Sequence, residues 1–122
     1  MASQLIDLYE AALPLDEMAE GMGDVFHTKR FTLEYRCLET ILSELKSYPN
    51  QGTRLLIAAL NSPVTRSRNM ACHVVKGWMK KLGLPLSEIS TQVYSAIKRI
   101  SKIEINKSTS VSMENIIEGN FD

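Results

Sequence analysis

Residues 55–82 read LLIAALNSPVTRSRNMACHVVKGWMKKL, and the fold is decided there. With Thr53 at its start, the stretch to Leu60 is short and almost wholly apolar, which predicts a short helix covered by neighbours on most sides. Ser62-Pro63 reads as an N-cap followed by a proline at the first helical position. It opens the longest helix, which runs to about Leu82 and stops at Gly83. Ala71, Val75, Trp78, Met79 and Leu82 recur at helical spacing and form its apolar stripe. At about 100° per residue, Arg68 falls inside that stripe and points inward from the first turn. A guanidinium in that position must find acceptors, and loop carbonyls and turn side chains of a neighbouring unit are the best candidates. Arg68, Trp78, Ser62 and Pro63 are therefore read as structural residues.

The same period extends to both sides. A first helix is predicted from Ser3 to Leu13, with Leu5, Leu8, Tyr9 and Ala12 on one face and Pro14 closing it. Gly21 and Gly23 mark a connection, with a short helix from Leu15 to Met22. The next helix begins near Thr32 as N-cap, carries Leu38, Ile41, Leu42 and Leu45, and stops at Pro49-Asn50-Gln51-Gly52. Beyond the central stretch, Pro85 and Ser87 open a helix with Ile89, Val93, Ile97 and Ile100 inward and Thr91, Ser95, Lys98 and Lys102 opposite. Asn106 to Ser110 reads as a polar connector before a last short helix near Val111 to Glu118. No run of strand alternation bounded by hairpin turns occurs, so the class is all-α.

A triplet repeats along these helices. Leu38, Ile41 and Leu42 recur as Val75, Trp78 and Met79 after 37 residues and as Met113, Ile116 and Ile117 after a further 38. Any amphipathic helix supplies such a triplet, yet each of these sits on a helix that follows another helix, and stacked helical hairpins are the natural architecture of that order. Within the central stretch, Leu56, Leu60, Ser62-Pro63, Arg68, Ala71, Val74-Val75 and Leu82 resemble a HEAT repeat. Arg68 stands where that family carries an arginine. Asn61-Ser62 replaces the usual aspartate of the turn, Ser67 stands where the family prefers valine, and only this unit matches in motif. Met22-Gly23-Asp24-Val25-Phe26 and the run from Ser62 to Ala71 are also similar to small HEAT-type proteins of low-GC Gram-positive bacteria, some carrying limonene hydroxylase-type names. No haem-ligand cysteine context, Rossmann glycine fingerprint or two-His-one-carboxylate set supports that chemistry. The resemblance implies a right-handed α-α superhelix of five to seven helices, one domain spanning residues 1–122, with units at 1–48, 53–83 and 86–118.

Charge sorts along the chain although 14 Lys and Arg balance 14 Asp and Glu. Asp7, Glu10, Asp16, Glu17, Glu20 and Asp24 precede any basic residue. From Pro49 to Lys107, ten basic residues face only Glu88 and Glu104. The last segment returns to acidic with Glu114, Glu118 and Asp122. No stretch is long and apolar enough for a spanning helix, and Met1 to Leu8 lacks a basic start followed by an apolar block, so a cytoplasmic protein is expected. Cys37 and Cys72 have no second Cys or His at ligand spacing; buried free thiols are the expectation, with a bridge open if their helices touch.

Catalytic candidates are thin. His27 and His73 are 46 residues apart, and His73 lies opposite the apolar stripe. The cluster Asp16, Glu17, Glu20 and Asp24 lacks the alternating ligands of a calcium loop and reads as a solvated face. No enzyme, metal or cofactor is expected. The richer constellation is positive: Arg66, Asn69, His73, Lys76 and Lys80 share one sector of the long helix, and Lys98 and Lys102 share one on the following helix. Together they are candidates for binding a partner or phosphate; the alternative is an ordinary solvated helix face. Two functions follow: a non-enzymatic helical-repeat scaffold binding a protein partner, a second copy or further repeats, and a nucleic-acid-associated module gripping phosphates with its basic face. A helical immunity or regulatory protein is a third reading. Met113, Ile116 and Ile117 near the end leave open a self-associating small protein or the last portion of a longer array.

Overall fold

The computed structural model describes residues 2–13, 32–62 and 64–120, which form seven helices and no strand. They are α1 (Ala2–Ala12), α2 (Thr32–Leu45), α3 (Thr53–Leu60), α4 (Thr65–Leu82), α5 (Leu86–Ile89), α6 (Thr91–Ser101) and α7 (Lys107–Ile117). The all-α class expected from the periodicity is thus observed. The predicted Leu15–Met22 helix, His27, the acidic cluster of Asp16, Glu17, Glu20 and Asp24, and Pro63 lie outside the described residues, as do the side chains of Leu5 and Thr32.

The helices pack in a definite order. α1 lies against α2, α3 against α4, and α6 against α7. Beyond these pairs, α4 touches both α2 and α7, and α3 touches both α1 and α6. One continuous core results, built from Ile6, Leu38, Ile41, Leu42 and Leu45, through α3 and α4, to Val93, Ile97, Ile100, Met113 and Ile116. All three repeat triplets contribute to it, with Ile117 half-buried at its edge.

Several boundaries and faces differ from expectation, each for a local reason. Among the described side chains of α1 the buried one is Ile6; Leu8 is 62% exposed and Ala12 is exposed, contrary to the predicted face, whereas Tyr9 and, just after the helix, Leu13 pack partly buried against the core. α4 begins at Thr65, after Val64 in extended conformation, because the Ser62 hydroxyl accepts the Val64 N–H and caps a turn before the helix. Leu82, placed in the apolar stripe, is 45% exposed as the last residue of that helix. The helix predicted after Pro85 is broken at Ser90, whose extended backbone (φ −153°, ψ 111°) and hydroxyl, accepting the Val93 N–H, make it the N-cap of α6. α7 starts four residues earlier than predicted because Asn106 caps it through Thr109.

Gly52 sets the approach of α3. Its φ of +68° is left-handed, and a Cβ there would lie 2.6 Å from Leu45 Cδ2 and 3.0 Å from Ile6 Cγ2. Only glycine lets the turn pass this close to the cores of α1 and α2.

Candidate functional site

Arg68 is 2% exposed, as its place in the apolar stripe requires, and all three guanidinium nitrogens donate. Nη1 donates to the Ser62 carbonyl at 2.9 Å and Nη2 to Thr65 Oγ1 at 3.1 Å. Nε and Nη2 donate to the two oxygens of Glu104 at 2.7 and 2.9 Å. Glu104 comes from the loop between α6 and α7, and its own carboxylate also accepts the Asn106 N–H that leads into α7. Burial is the largest influence on Glu104 and pushes its carboxyl up; the Arg68 bonds and charge, with the Asn106 and Ile105 amides, together outweigh it and hold the group below the usual carboxylate range. Acceptors from a turn and a neighbouring unit were anticipated for Arg68; the countercharge was not. Glu104 was legible only as one of two acids in a basic stretch.

Trp78 is fully buried and donates Nε1–H to the Leu45 carbonyl at 2.6 Å, while Lys81 Nζ donates to the Ser47 carbonyl at 2.9 Å. The Leu45 carbonyl, which also accepts the Tyr48 N–H, ends α2 and Ser47 lies in the turn just after it, so α4 fastens the C-terminal end of α2. At the other end of the same helix pair, Arg66 Nε and Nη2 donate to Glu39 at 3.2 and 2.6 Å, and Ser67 Oγ donates to Glu39 Oε1 at 3.2 Å.

Between these fastenings α2 and α4 leave a groove of about 210 Å³, lined by Leu42, Ser43, Lys46, Met70, His73 and Val74. Its floor is apolar, and Lys46, His73 and Ser43 are exposed at its rim. Gly77 lies beside it on α4, and a Cβ at that position would come within 2.5 Å of Lys46 Cγ and 2.8 Å of Lys46 Cε. The Lys46 stem consequently rests directly on the α4 backbone. A second apolar depression lies between Leu8, Tyr9, Ala12 and Leu13 of the first segment and Cys37 of α2.

The seven residues of the predicted basic face are distributed as follows. His73 and Lys80 are exposed on α4 and Asn69 is half-buried, whereas Arg66, 73% exposed at its side chain, is bound to Glu39. Lys76 is half-buried toward α7, its Nζ 3.4 Å from Ser112 Oγ. Lys98 and Lys102 are exposed on and just after α6, with Lys98 Nζ 5.5 Å above the Tyr94 ring. α4 and α6 are joined mainly through α3 and α7, which pack against both, rather than as a principal pair. Lys46, Met70 and Gly77, which shape the groove beside His73, were not singled out by sequence.

Both cysteines are free. Cys72 is buried as expected, and burial pushes its thiol up to about 12, with the Lys76 and Arg68 charges pulling against it and Glu104 adding to it. Cys37, expected inside, is exposed because it lies at the open edge of the α1–α2 pair. Among the described residues no group of three or more His, Cys, Asp or Glu is placed to hold a metal ion, and no helix is long and apolar enough to cross a membrane. No protein family, no curated protein and no solved structure matches the chain.

Proposed function

We propose that the chain is a non-enzymatic scaffold of stacked helical hairpins that binds another protein through its outward helix faces. The observation that carries this reading is the packing order. α1–α2, α3–α4 and α6–α7 form successive pairs; the first helices α1, α3 and α6 touch in sequence, and so do the second helices α2, α4 and α7. This order of principal contacts supports a reading as stacked HEAT-like units of a right-handed α-α superhelix, with boundaries proposed at 1–48, 53–83 and 86–118. Arg68 supports it further by tying the turn of the middle pair, at Ser62, to Glu104 of the last. Such a stack offers helix faces and shallow grooves rather than a catalytic cleft.

The reading is tested by placing a photo-crosslinking side chain at His73 or at Lys98 in the full chain inside cells. Defined protein adducts are expected. Adducts to nucleic acid would replace this reading with phosphate binding by Arg66, Lys76, Lys80, Lys98 and Lys102, which must then weaken steeply with salt. Absence of any adduct at both positions would overturn it.

A further inference from the structure

We infer that the groove between α2 and α4 receives an acidic segment of the partner protein, anchored by one large apolar side chain. The inference rests on the scaffold reading and names the chemistry of its partner.

The anchor follows from the shape and lining of the groove. Leu42 and Val74 form a floor that is 0% and 3% exposed, and half-buried Met70, unbranched and adaptable, closes one side. At about 210 Å³ it is smaller than the roughly 300–1,000 Å³ sites that enclose small molecules, and suits a single inserted side chain.

The acidic character follows from the charges gathered around Gly77, beside the groove. Around Gly77, the residues at i−4, i+3 and i+4 on α4 are His73, Lys80 and Lys81, all exposed, and Lys46 of α2 lies across the glycine itself. Lys46 and Lys80 have no ion-pair partner among the described residues, and Lys81 bonds only to the neutral Ser47 carbonyl. Glu39, the acid on this side of α2, is taken up by Arg66 and Ser67, and its side chain is 17% exposed. Three like charges brought together beside an apolar floor, with the nearby acid occupied, form a surface complementary to carboxylates.

Fluorescence anisotropy with a labelled short peptide carrying one Phe between pairs of Glu tests this. Binding is expected, and is expected to be lost when Phe becomes Ala or the Glu residues become Lys. Lys46→Glu and Lys80→Glu, both at exposed positions, should each weaken it about tenfold with the helical circular dichroism and urea midpoint unchanged, as reversal of an exposed charge allows. Glu44→Lys, exposed elsewhere on α2, should leave affinity within about twofold. Amide NMR shifts on titration should fall on α2 and α4. Equal affinity for the Lys peptide, indifference to Lys46→Glu, or shifts confined to α1 or α6 would overturn the inference. So would duplex DNA or a second copy of the chain competing for the groove with Lys46-dependent affinity. Peptide failure alongside persistent protein crosslinks at Lys98 would reject the groove and leave the scaffold standing; loss of both would reject the scaffold.

Discussion

Arg68 and Glu104 meet across 36 residues of chain through two parallel bonds, Nε to Oε1 at 2.7 Å and Nη2 to Oε2 at 2.9 Å, with side chains 2% and 0% exposed. Their connection joins the first turn of α4 to the loop that launches α7, and through Ser62 it reaches the end of α3. A fork of donors matched to two carboxylate oxygens fixes the distance and the angle between these elements together. This contact therefore helps to set the register between the second and third helix pairs from inside a largely apolar core, alongside the Arg99 Nη1 bond to Asn61 Oδ1 at 3.2 Å.

Removing either partner should be far costlier than removing both. Arg68→Ala or Glu104→Ala strands a buried charge and is expected to lower unfolding free energy by about 3–5 kcal/mol. Arg68→Met with Glu104→Leu should cost less than the sum of the single changes, the residue of the cost coming from the Ser62 carbonyl left without its donor. Urea unfolding of the four proteins in a double-mutant cycle checks this; additive losses would show that the pair is not coupled.

Acid should release the same contact. Glu104 titrates in the folded chain below its usual value of 4.5, so the unfolded chain takes up the proton first as pH falls. The stability it contributes is complete above 4.5 and is lost as pH falls through the depressed folded value. Glu10 carries the opposite sign: burial raises it, partly opposed by Arg54 and assisted by Asp7, so stability falls as pH rises through its raised value. Urea midpoints measured between about pH 7 and about pH 3 should decline at the acid end for the parent chain and flatten there in Glu104→Gln. An unchanged acid slope in that variant would assign the loss to other groups.

Much of the core was readable because helical period records which side of a helix is covered. Leu38, Ile41, Leu42 and Leu45, the Val75–Trp78–Met79 triplet and inward Arg68 all lie where spacing places them. Period fails where a helix is only partly covered. α1 carries Ile6, Leu8 and Tyr9 closely enough to leave its inward side ambiguous by period alone, and contact with α2 and α3 buries Ile6 while Leu8 stays exposed. Polar short-range bonds are equally local and equally hard to rank: Ser62, Ser87 and Ser90 are all plausible caps by type, yet Ser90 receives the helix N–H and Ser62 serves a turn.

The candidate site was less legible because it is a relation between elements. Glu104 sits in a loop, where no periodicity announces a partner, and the rim of the groove is formed where Lys46 of α2 lies against Gly77 of α4, a meeting of two elements. Counting charges located the basic stretch but not its pairing, since Arg66 is engaged with Glu39 while Lys46, outside that stretch, completes the exposed cluster.

Of the three left-handed glycines among the described residues, Gly52 and Gly83 should respond unequally to alanine. Gly83 has φ of +65° with nothing within 4 Å of an added Cβ, so Gly83→Ala bears only the backbone cost of about 1 kcal/mol. Gly52→Ala adds a clash with Leu45 and Ile6 at a buried position and should cost about 1–3 kcal/mol more. Thermal unfolding of both variants checks the order; equal losses would mean that the α3 turn can move away from α1 and α2 without consequence.

The two thiols should differ sharply in reactivity although both are free. Reaction with a disulfide reagent requires thiolate and access. Cys37 is exposed, whereas Cys72 is 1% exposed with its thiol pushed up to about 12 by burial, the Lys76 charge opposing and Glu104 reinforcing the shift. One thiol per native chain should therefore react promptly near neutral pH and the second only after denaturant is added. Cys37→Ser should abolish the prompt phase, and Cys72→Ser should leave it intact. The slow phase then reports opening of the α4 core, so Arg68→Ala is expected to accelerate it. A prompt reaction of both thiols in the parent chain would show that α4 does not hold Cys72 inside.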